Sequence, residues 1–446
     1  MLVYTYDKES LVLKDEPFSS GGEGEVRNVV TCPSRFNNVC AKLYFKPKQT
    51  KEQEKKIRFM VENPPSNFIG SSMMLAWPLE TLYNQSGTFI GFLMPMAFPD
   101  SKKLTILILP KLKRTLKTEW YKFDKEYNIK YALVSRMKLI NNIAIPIHIL
   151  HSTNKYVLKD FKPDNVLVTS TGKVTIVDMD SIQICENGRL LFPGTAATDT
   201  YIPPEFYKGV GKNKKDILEK SWDDFAVSVV FYQLLFGLHP YVVVPFVDSE
   251  ESNTIPYCIK ENLFPFGVNA SKIKSFAKPH NNFNIVPPPV QQLFVRAFGL
   301  NPNDRPQAME WGKTIKQVLD NVGTEGPGPT PPPPTPVTYQ LTTMATGNGS
   351  ITVLPKMATA GERITVSVSP NTDYELAELY YFTSKGRVSL GMNTSFTMPD
   401  SDVKIGASFI AKTDGGNNKG GCKKAFIAFV WIAIIAGIIA MVASAL

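Results

Sequence analysis

The sequence predicts an α+β protein in which a small strand-rich lobe precedes a larger helical lobe. A small β-rich module and one C-terminal transmembrane helix follow. Three observations predict this fold class. Residues 1–100 form short strand-like runs with one helix near 50–62, and residues 130–320 have mostly helical patterns. A proline- and glycine-rich run at 323–336 and an uncharged apolar run at the C-terminus then divide the chain further.

Length and composition limit the possible classes of protein. The chain has 446 residues, too many for one ordinary domain, and its 43% hydrophobic residues are enough for packed cores. The five cysteines include no C-x-x-C pair and are odd in number, which argues against a zinc site and a disulfide framework. The net charge is +9, but no basic run of five or more occurs, so nucleic acid is not a predicted partner.

Composition predicts five segments along the chain. Residues 1–322 contain both lobes, and residues 323–337 form a linker whose prolines favour a semi-rigid polyproline II conformation. Residues 338–411 alternate strand-like runs with turn signals, which predicts a small β-rich module. Residues 412–424 are rich in glycine and lysine and form a flexible basic tether to the last segment, 425–446.

The last segment is predicted to cross a membrane. Residues 425–446 are uncharged and apolar, and about 20 such residues span the ~30 Å of hydrocarbon as a helix. Lys419, Lys423 and Lys424 precede the helix, and the positive-inside rule places such lysines in the cytoplasm. A buried globular helix is the alternative, but few residues remain to cover it. We therefore expect a single-pass protein with a C-terminal anchor and with everything before the anchor in the cytoplasm.

The strand-rich lobe contains a glycine-rich segment, with Gly21, Gly22 and Gly24 between strand-like runs. Glycines let a hairpin approach a ligand closely and leave backbone N–H groups free for phosphates. The same segment, taken alone, also fits an ordinary turn.

Lys42 ends the next apolar strand. A cation there needs a partner, such as a ligand phosphate or a carboxylate from the following helix. That helix offers Glu52, Glu54 and Glu62. Glu54 shares a helix face with Ile57, three residues on, so Glu54 is predicted to point inward.

The helical lobe contains Lys-Asp-Phe-Lys-Pro-Asp-Asn at 159–165 and, after a strand pair near 166–169 and 174–177, Asp178. Here the chain resembles the eukaryotic-type protein kinase superfamily, in particular a divergent bacterial group. In that family a catalytic loop of the form HRDxKPxN precedes a DFG metal motif. The resemblance covers roughly residues 10–320 and implies a bilobal protein-kinase-like fold.

Further segments match the same family in the same order. Pro-Pro-Glu, ending at Glu205, is similar to the APE triplet that closes the activation segment. Residues 222–241 are similar to a buried kinase helix, and Asn-Asp-Arg-Pro, with Arg305, is similar to the loop that pairs with that glutamate. The resemblance implies a structural ion pair between Glu205 and Arg305, and it implies that Asp223 braces the catalytic loop.

The resemblance implies transfer of the ATP γ-phosphate to Ser or Thr of protein substrates, with Mg²⁺. Asp160 is implied to orient the substrate hydroxyl and accept its proton, and Lys162 to offset charge on the phosphoryl group. Lys162 is also similar to Ser/Thr rather than Tyr kinases. Asn165 and Asp178 are implied to hold Mg²⁺, an ion that prefers oxygen ligands.

The implied nucleotide site lies in the strand-rich lobe. Lys42 is implied to bind the α/β-phosphates and to pair with the helix glutamate. Val26 and Ala41 are implied to flank the adenine as an apolar pair. The carbonyl of Pro95 and the N–H of Met96 are implied to form hydrogen bonds with its edge. The implied nucleotide-binding residues are Gly21, Gly22, Gly24, Val26, Ala41, Lys42, Glu54, Pro95 and Met96.

The chain also departs from the family pattern. Leu158 and Lys159 stand where the family has the His and Arg of HRD, and Asp178-Met-Asp180 stands for DFG. Lysine lacks the planar fork that arginine offers a phosphate, so control by a phosphorylated loop residue is not expected. A pseudokinase scaffold without turnover is therefore an alternative. A small-molecule or lipid kinase is a third, disfavoured by Lys162.

One partner and one further family are implied by resemblance. Kinases of the divergent bacterial group often accompany a PP2C-type phosphatase. The module at 338–411 is similar to the divergent internalin B-repeat family in its matching residues, which include Gly-Asn-Gly-Ser at 347–350, Gly361, Tyr374 and Phe-Thr-Met-Pro-Asp at 396–400. The residues alone predict only a β module for ligand or partner binding.

Overall fold

The computed structural model describes residues 1–109, 112, 116–125, 129–195, 197–247, 249–321, 338–344, 347–383 and 386–412. The predicted linker and transmembrane segment, and the tether beyond residue 412, lie outside the described residues. The chain divides into two compact units, residues 1–333 and 334–446.

The first part of unit one is strand-rich, as predicted. Its elements are β1 (Leu2–Tyr4), β2 (Ser10–Leu13), β3 (Ser19–Ser20), β4 (Gly24–Thr31), β5 (Val39–Tyr44), α1 (Lys51–Glu62), β6 (Met73–Leu75), β7 (Glu80–Tyr83) and β8 (Phe89–Pro95). Seven of these strands form one sheet in the order β2-β1-β7-β8-β5-β4-β3. The helix predicted near 50–62 is α1, which begins where the Thr50 hydroxyl accepts from the Gln53 N–H.

The two sides of β5 face different surroundings because side chains alternate along a strand. Val39, Ala41 and Leu43 join an apolar cluster on one side of the sheet. Cys40 and Lys42 point to the other side and line a cavity. This alternation decides which β5 side chains reach a ligand.

A smaller sheet forms the base of that cavity. Its strands run in the order β6-β12-β11-β9, with β9 (Lys102–Lys103), β11 (Val166–Val168) and β12 (Val174–Ile176). β11 and β12 are the predicted strand pair, and β6 lies parallel to β12. The sheet therefore joins the strand-rich lobe to the segment that carries the kinase-like motifs.

The second part of unit one is mainly helical. Its helices are α2 (Thr105–Ile108), α3 (Ile129–Ser152), α4 (Lys220–Phe236), α5 (Ile255–Lys260), α6 (Pro288–Ala297) and α7 (Ala308–Asn321). α4 is apolar on nearly all its faces and is buried from Trp222 to Phe236, as expected for a central helix. It ends at Gly237, whose φ of 81° is a conformation that glycine adopts without strain.

Short strands complete this lobe. They are β10 (Tyr156–Val157), β13 (Gln183–Glu186), β14 (Arg189–Phe192), β15 (Val243–Pro245) and β16 (Ile273–Phe276). β13 and β14 form a hairpin that pairs with β10, the strand just before the catalytic-loop motif.

Unit two contains a small β-rich module, as predicted. Its strands are β17 (Thr338–Thr343), β18 (Gly349–Leu354), β19 (Met357–Thr359), β20 (Arg363–Pro370), β21 (Tyr374–Thr383), β22 (Gly386–Gly391), β23 (Ser395–Thr397) and β24 (Val403–Ala411). They form sheets of five and three strands in the orders β19-β17-β24-β21-β22 and β18-β20-β23. One apolar core that includes Ile364, Leu379 and Ile405 holds the module together.

The membrane-spanning part of the predicted fold class and location is corrected. Among the residues given above, no helix is both long enough and apolar enough to cross a bilayer. The longest helix there, α3, carries the charges of Lys130, Arg136 and Lys138. The single-pass anchor that the sequence predicted at 425–446 falls outside the described residues, and neither that anchor nor the location inferred from it is supported.

Candidate active site

The segment before Asp160 is held by a buried carboxylate of α4. Asp223 is fully buried, and it accepts the N–H of Leu158 at 2.7 Å and the N–H of Lys159 at 2.9 Å. His151 lies 2.8 Å from the same carboxylate. Lys159 has a φ of 64°, a left-handed conformation that needs such support in a non-glycine residue. The predicted brace beneath the catalytic loop is therefore confirmed.

Asp160 and Lys162 lie side by side. Lys162 Nζ is 2.7 Å from Asp160 Oδ2 and donates to the Thr198 hydroxyl oxygen at 2.9 Å. Thr198 in turn donates its N–H and its hydroxyl to Asp160 Oδ1, at 2.9 and 2.7 Å. The carboxylate, the ammonium and the hydroxyl form a closed triangle. Thr198 was not among the site residues predicted from the sequence.

Two predicted metal ligands lie beside this triangle. The side-chain N–H of Asn165 donates to the Asp160 carbonyl at 3.0 Å, which orients the Asn165 amide. Asp178 has φ 64° and ψ 35°, and the left-handed turn brings its carboxylate into the same cavity. An amide oxygen and a carboxylate are oxygen donors of the kind that Mg²⁺ prefers, so the residues present fit that ion.

Lys42 is paired with two carboxylates of the segment that follows β12. Its Nζ lies 2.9 Å from Asp178 Oδ1 and 2.6 and 2.8 Å from the two oxygens of Asp180. Burial alone would lower the pKa of Lys42, but the charges of Asp180 and Asp178 outweigh it and raise that pKa. Lys42 is therefore charged and fixed.

The predicted pairing of Lys42 with Glu54 does not occur. The Glu54 carboxylate instead accepts the Tyr83 hydroxyl at 2.8 Å. The face of α1 that points inward carries Lys56, Ile57 and Met60. Glu54 does share a helix face with Ile57, but its side chain points toward Tyr83 of the sheet and not into the cavity.

A cavity of about 450 Å³ lies between the lobes and contains these groups. Gly21, Gly22 and Gly24 form part of its wall, as predicted for the glycine-rich segment. A side chain at Gly21 or Gly22 would meet open space, whereas a Cβ on Gly24 would lie 2.2 Å from the Leu43 carbonyl oxygen. Gly24 is therefore required by the close approach of β4 to β5, and the other two leave the loop open to a ligand.

The apolar pair predicted to flank a planar ligand is half correct. Val26 lines the cavity, but Ala41 is fully buried on the opposite side of β5. Cys40 takes the place that the sequence prediction gave to Ala41, because side chains alternate along the strand. Burial raises the pKa of the Cys40 thiol to about 12, so it remains protonated and acts as a small apolar group.

The backbone N–H predicted to meet a ligand after β8 belongs to Met96, but the N–H of the next residue is the better candidate. The N–H of Met96 is already used, because it donates to the Asn38 carbonyl at 2.8 Å. Ala97 follows and also lines the cavity, and its N–H forms no hydrogen bond within the described part of the chain. Pro95 lines the cavity as predicted.

A buried ion pair supports the segment that ends the active-site region. Arg305 donates to both oxygens of Glu205, at 2.6 and 2.7 Å, and to the Ser221 carbonyl at 2.8 Å. The two-point geometry is the planar fork expected of arginine. The predicted structural pair is therefore confirmed.

The site agrees with the comparison with known families. Residues 97–314 match the model of the protein kinase domain. The chain carries a protein kinase domain. Such a domain implies protein substrates and, in general, the use of ATP and a divalent metal ion.

The kinase domain has bacterial relatives. Over 317 residues, 69% of this chain and 45% of the relative, the chain is 25% identical to "Protein kinase YegI" of Escherichia coli (strain K12). It is 25% identical over 220 residues, 44% of this chain and 21% of the relative, to "Serine/threonine-protein kinase PknD" of Chlamydia trachomatis serovar L2b. The chain thus spans less than half the length of these relatives. Both relatives are bacterial protein kinases, and the second is by name a Ser/Thr kinase.

The second unit matches a family as well. Residues 339–413 match the model of the divergent InlB B-repeat domain. The β module downstream of the kinase domain is therefore the repeat-like domain that its turn and strand residues had suggested.

Proposed function

We propose that this chain is an ATP- and Mg²⁺-dependent protein kinase that transfers the γ-phosphate to Ser or Thr hydroxyls of protein substrates. The observation that carries the proposal is the triangle of Asp160, Lys162 and Thr198, which opens onto the cavity that Asn165 and Asp178 line. In-line transfer needs a group that orients a hydroxyl next to groups that neutralise phosphoryl charge.

Each side chain of the triangle has one task. Asp160 accepts the hydrogen bond of the substrate hydroxyl and orients it. It takes the hydroxyl proton as the oxygen bonds to the γ-phosphorus, while the bond from that phosphorus to the β–γ bridging oxygen breaks and ADP leaves. Lys162 places positive charge where negative charge develops on the phosphoryl oxygens. Thr198 holds both groups in place through its hydroxyl and its N–H.

Asn165 and Asp178 would hold the metal ion through side-chain oxygens. Mg²⁺ bound there would neutralise charge on the nucleotide phosphates. The Asn165 amide is kept in position by its hydrogen bond to the Asp160 carbonyl, which ties the metal ligand to the backbone of the catalytic residue.

We assign the nucleotide to the cavity between the lobes. Its purine edge would meet the carbonyl of Pro95 and the N–H of Ala97, which replaces the Met96 N–H of the sequence prediction. Its ring would lie between Val26 and Cys40 on one side and Leu167 on the other. Gly21 and Gly22 leave space for phosphates above Lys42, and Glu54 is not part of this assignment.

A pseudokinase scaffold is the second candidate, favoured by Leu158, Lys159 and Asp180 in place of the family residues. Lys159 donates to the Gly194 carbonyl at 3.0 Å, so its ammonium is committed to the activation segment without a phosphate. Retention of Lys42, Asp160 and the metal ligands favours turnover. A PP2C-type phosphatase partner and a partner-binding role for the B-repeat domain stay predictions.

The identity of the phosphorylated residue tests the proposal. The full chain is incubated with γ-labelled ATP, Mg²⁺ and a protein lysate, and the labelled protein is hydrolysed to its amino acids. We expect phosphoserine and phosphothreonine. Label confined to phosphotyrosine would contradict the Ser/Thr assignment, and label confined to lipids or small molecules would contradict the protein-kinase assignment.

A further inference from the structure

Asp180 is a buried carboxylate of the cavity wall, and both of its oxygens accept hydrogen bonds. Its side chain is 2% exposed and receives three short contacts, from Lys42 Nζ at 2.6 and 2.8 Å and from the Tyr44 hydroxyl at 2.6 Å. Its carbonyl accepts the ammonium of Lys56 at 2.7 Å. Burial works against the charged form, but the Lys42 charge and these hydrogen bonds hold the pKa of Asp180 below its usual value.

The local backbone explains why this carboxylate reaches Lys42. Asp178 adopts the left-handed conformation, and residues 179–181 then form one turn of 3-10 helix that returns toward β5. This turn brings the side chain two residues after Asp178 beneath the Lys42 ammonium. A glycine at position 180, as in the family motif, would supply no charge there.

Helix α1 contributes hydrogen-bond donors, and not a carboxylate, to the region around Asp180. Lys56 is 3% exposed and donates to the Asp180 carbonyl, and Gln53 donates to the Tyr44 hydroxyl oxygen at 2.7 Å. The Tyr44 hydroxyl in turn donates to the Asp180 side chain. A helix that brings an ammonium to the site needs a carboxylate from elsewhere, since an unpaired buried cation is strongly unfavourable.

We propose that Asp180 is the positioning residue that holds Lys42 ready for the nucleotide phosphates, in the role that the sequence had assigned to the α1 glutamate. Helix α1 is joined to the site through Lys56 and Gln53, both of which act by way of Asp180. The inference rests on the proposed function, because it takes the Lys42 ammonium to be a phosphate ligand.

In this arrangement Asp180 and Asp178 have different roles: Asp180 holds Lys42, and Asp178 is the candidate metal ligand. Lys42 remains paired with Asp180 when Asp178 turns its oxygens to a metal ion, so phosphate and metal binding do not compete for one side chain. Removal of the Asp180 charge leaves the ammoniums of Lys42 and Lys56 facing one partly exposed carboxylate. Lys42 would then lose its fixed position.

A double-mutant cycle on nucleotide binding tests this inference. The dissociation constant of a fluorescent ATP analogue is measured for the full chain and for Asp180→Asn, Lys42→Met and the double variant. Because Asp180 acts through Lys42, we expect Asp180→Asn to raise the constant about tenfold alone and less than twofold in the Lys42→Met background. An equal increase in both backgrounds would overturn the proposal.

Two further comparisons identify the partner of Lys42. Glu52→Gln removes an exposed carboxylate from the same helix and is the matched control, with an expected change below twofold. Glu54→Gln is the rival, and an increase equal to that of Asp180→Asn would overturn the proposal in favour of the helix glutamate. If Asp180→Asn does not fold, Tyr44→Phe removes one donor to Asp180 and is expected to raise the constant about threefold. An unchanged dissociation constant for Tyr44→Phe would contradict the proposal.

The metal dependence separates positioning from metal ligation. The same measurement in EDTA should preserve the effect of Asp180→Asn, because Lys42 binds phosphates without a metal. Loss of the effect in EDTA would mean that Asp180 ligates the metal and would overturn the proposal. Binding without any phosphate transfer would contradict the proposed function and leave this inference standing.

Discussion

The hydroxyl of Thr198 donates to Oδ1 of Asp160 at 2.7 Å, and the Thr198 N–H donates to the same oxygen at 2.9 Å. The activation segment is thereby tied to the catalytic carboxylate without any added phosphate. Lys162 bonds to both residues, so the three side chains share one geometry. This observation agrees with the expectation that loop phosphorylation does not control the site.

Substitution of Thr198 should lower the rate of transfer and not the affinity for nucleotide. Thr198→Val keeps the shape but removes the hydroxyl, and a hydrogen bond to a charged group contributes about 1.5–3 kcal/mol, equivalent to about 10–100-fold in kcat. Thr198→Ser keeps the hydroxyl and should stay within about threefold of the unsubstituted chain. Steady-state kinetics decide the matter, and a loss in the serine variant as large as in the valine variant would contradict this role.

Gly24 should be required for stability, whereas Gly22 should not. A Cβ on Gly24 would overlap the Leu43 carbonyl, and such overpacking costs typically about 1–3 kcal/mol of the free energy of unfolding. Gly22→Ala places the same methyl group in open space and is the matched control. Urea unfolding of the two variants measures the difference, and equal midpoints would show that β4 does not approach β5 as described.

The pair of Arg305 and Glu205 should contribute to stability through its burial. Arg305→Ala leaves the Glu205 carboxylate, which is 15% exposed, without its partner, and breaking such a pair costs about 3–5 kcal/mol. Glu205→Gln with Arg305→Met removes both charges and should recover part of that loss. Chemical denaturation tests this, and a loss below about 1 kcal/mol for Arg305→Ala would place the pair among weak surface pairs.

The free energy of unfolding should fall at acid pH, partly because the unfolded chain protonates His239 more readily than the folded chain does. Its Nε2–H donates to the Thr200 carbonyl at 2.8 Å, Nδ1 accepts the Tyr241 N–H, and burial lowers the pKa of His239 to about 4. The unfolded chain with its pKa near 6.5 binds the proton first, so this contribution is complete above that pH and declines toward pH 4.

The size of the effect follows from the two pKa values. Between pH 7 and pH 5 this residue alone should remove about 2 kcal/mol from the free energy of unfolding. His239→Gln keeps a donor and an acceptor but does not titrate, so its pH dependence should be flatter by about that amount. If the free energy of unfolding depended on pH equally in the variant and the unsubstituted chain, His239 would not be buried in its neutral form.

Much of the site followed from the resemblance of its motifs to those of the protein kinase superfamily. Asp160, Lys162, Asn165 and Asp178 lie together, and the brace by Asp223 is present. Asp160, Lys162 and Asn165 come together because they are neighbours on one loop, and Asp178 follows the strand pair β11–β12, whereas the brace by Asp223 joins distant segments and was implied only by the family resemblance. The helix predicted near 50–62 matches α1, whose cap at Thr50 was not part of that prediction.

The remaining positions depended on geometry that spacing alone does not give. Ala41 was assigned to the cavity although its strand neighbour Cys40 shares the Lys42 face, and the period of two along β5 was the signal available. The partnership of Asp180 with Lys42 depends on a left-handed turn at Asp178, which no sequence pattern marked. The use of the Met96 N–H by the Asn38 carbonyl is likewise a long-range contact.

The most direct test of the kinase account is the rate of γ-phosphate transfer to protein by the full chain and by Asp160→Asn, each at saturating ATP and Mg²⁺. The dissociation constant for nucleotide is measured for both. We predict that Asp160→Asn lowers the rate at least 10²-fold and changes nucleotide affinity less than about threefold, because Asp160 acts on the substrate hydroxyl. Equal rates for the two proteins, or binding by both with no transfer by either, would contradict the account.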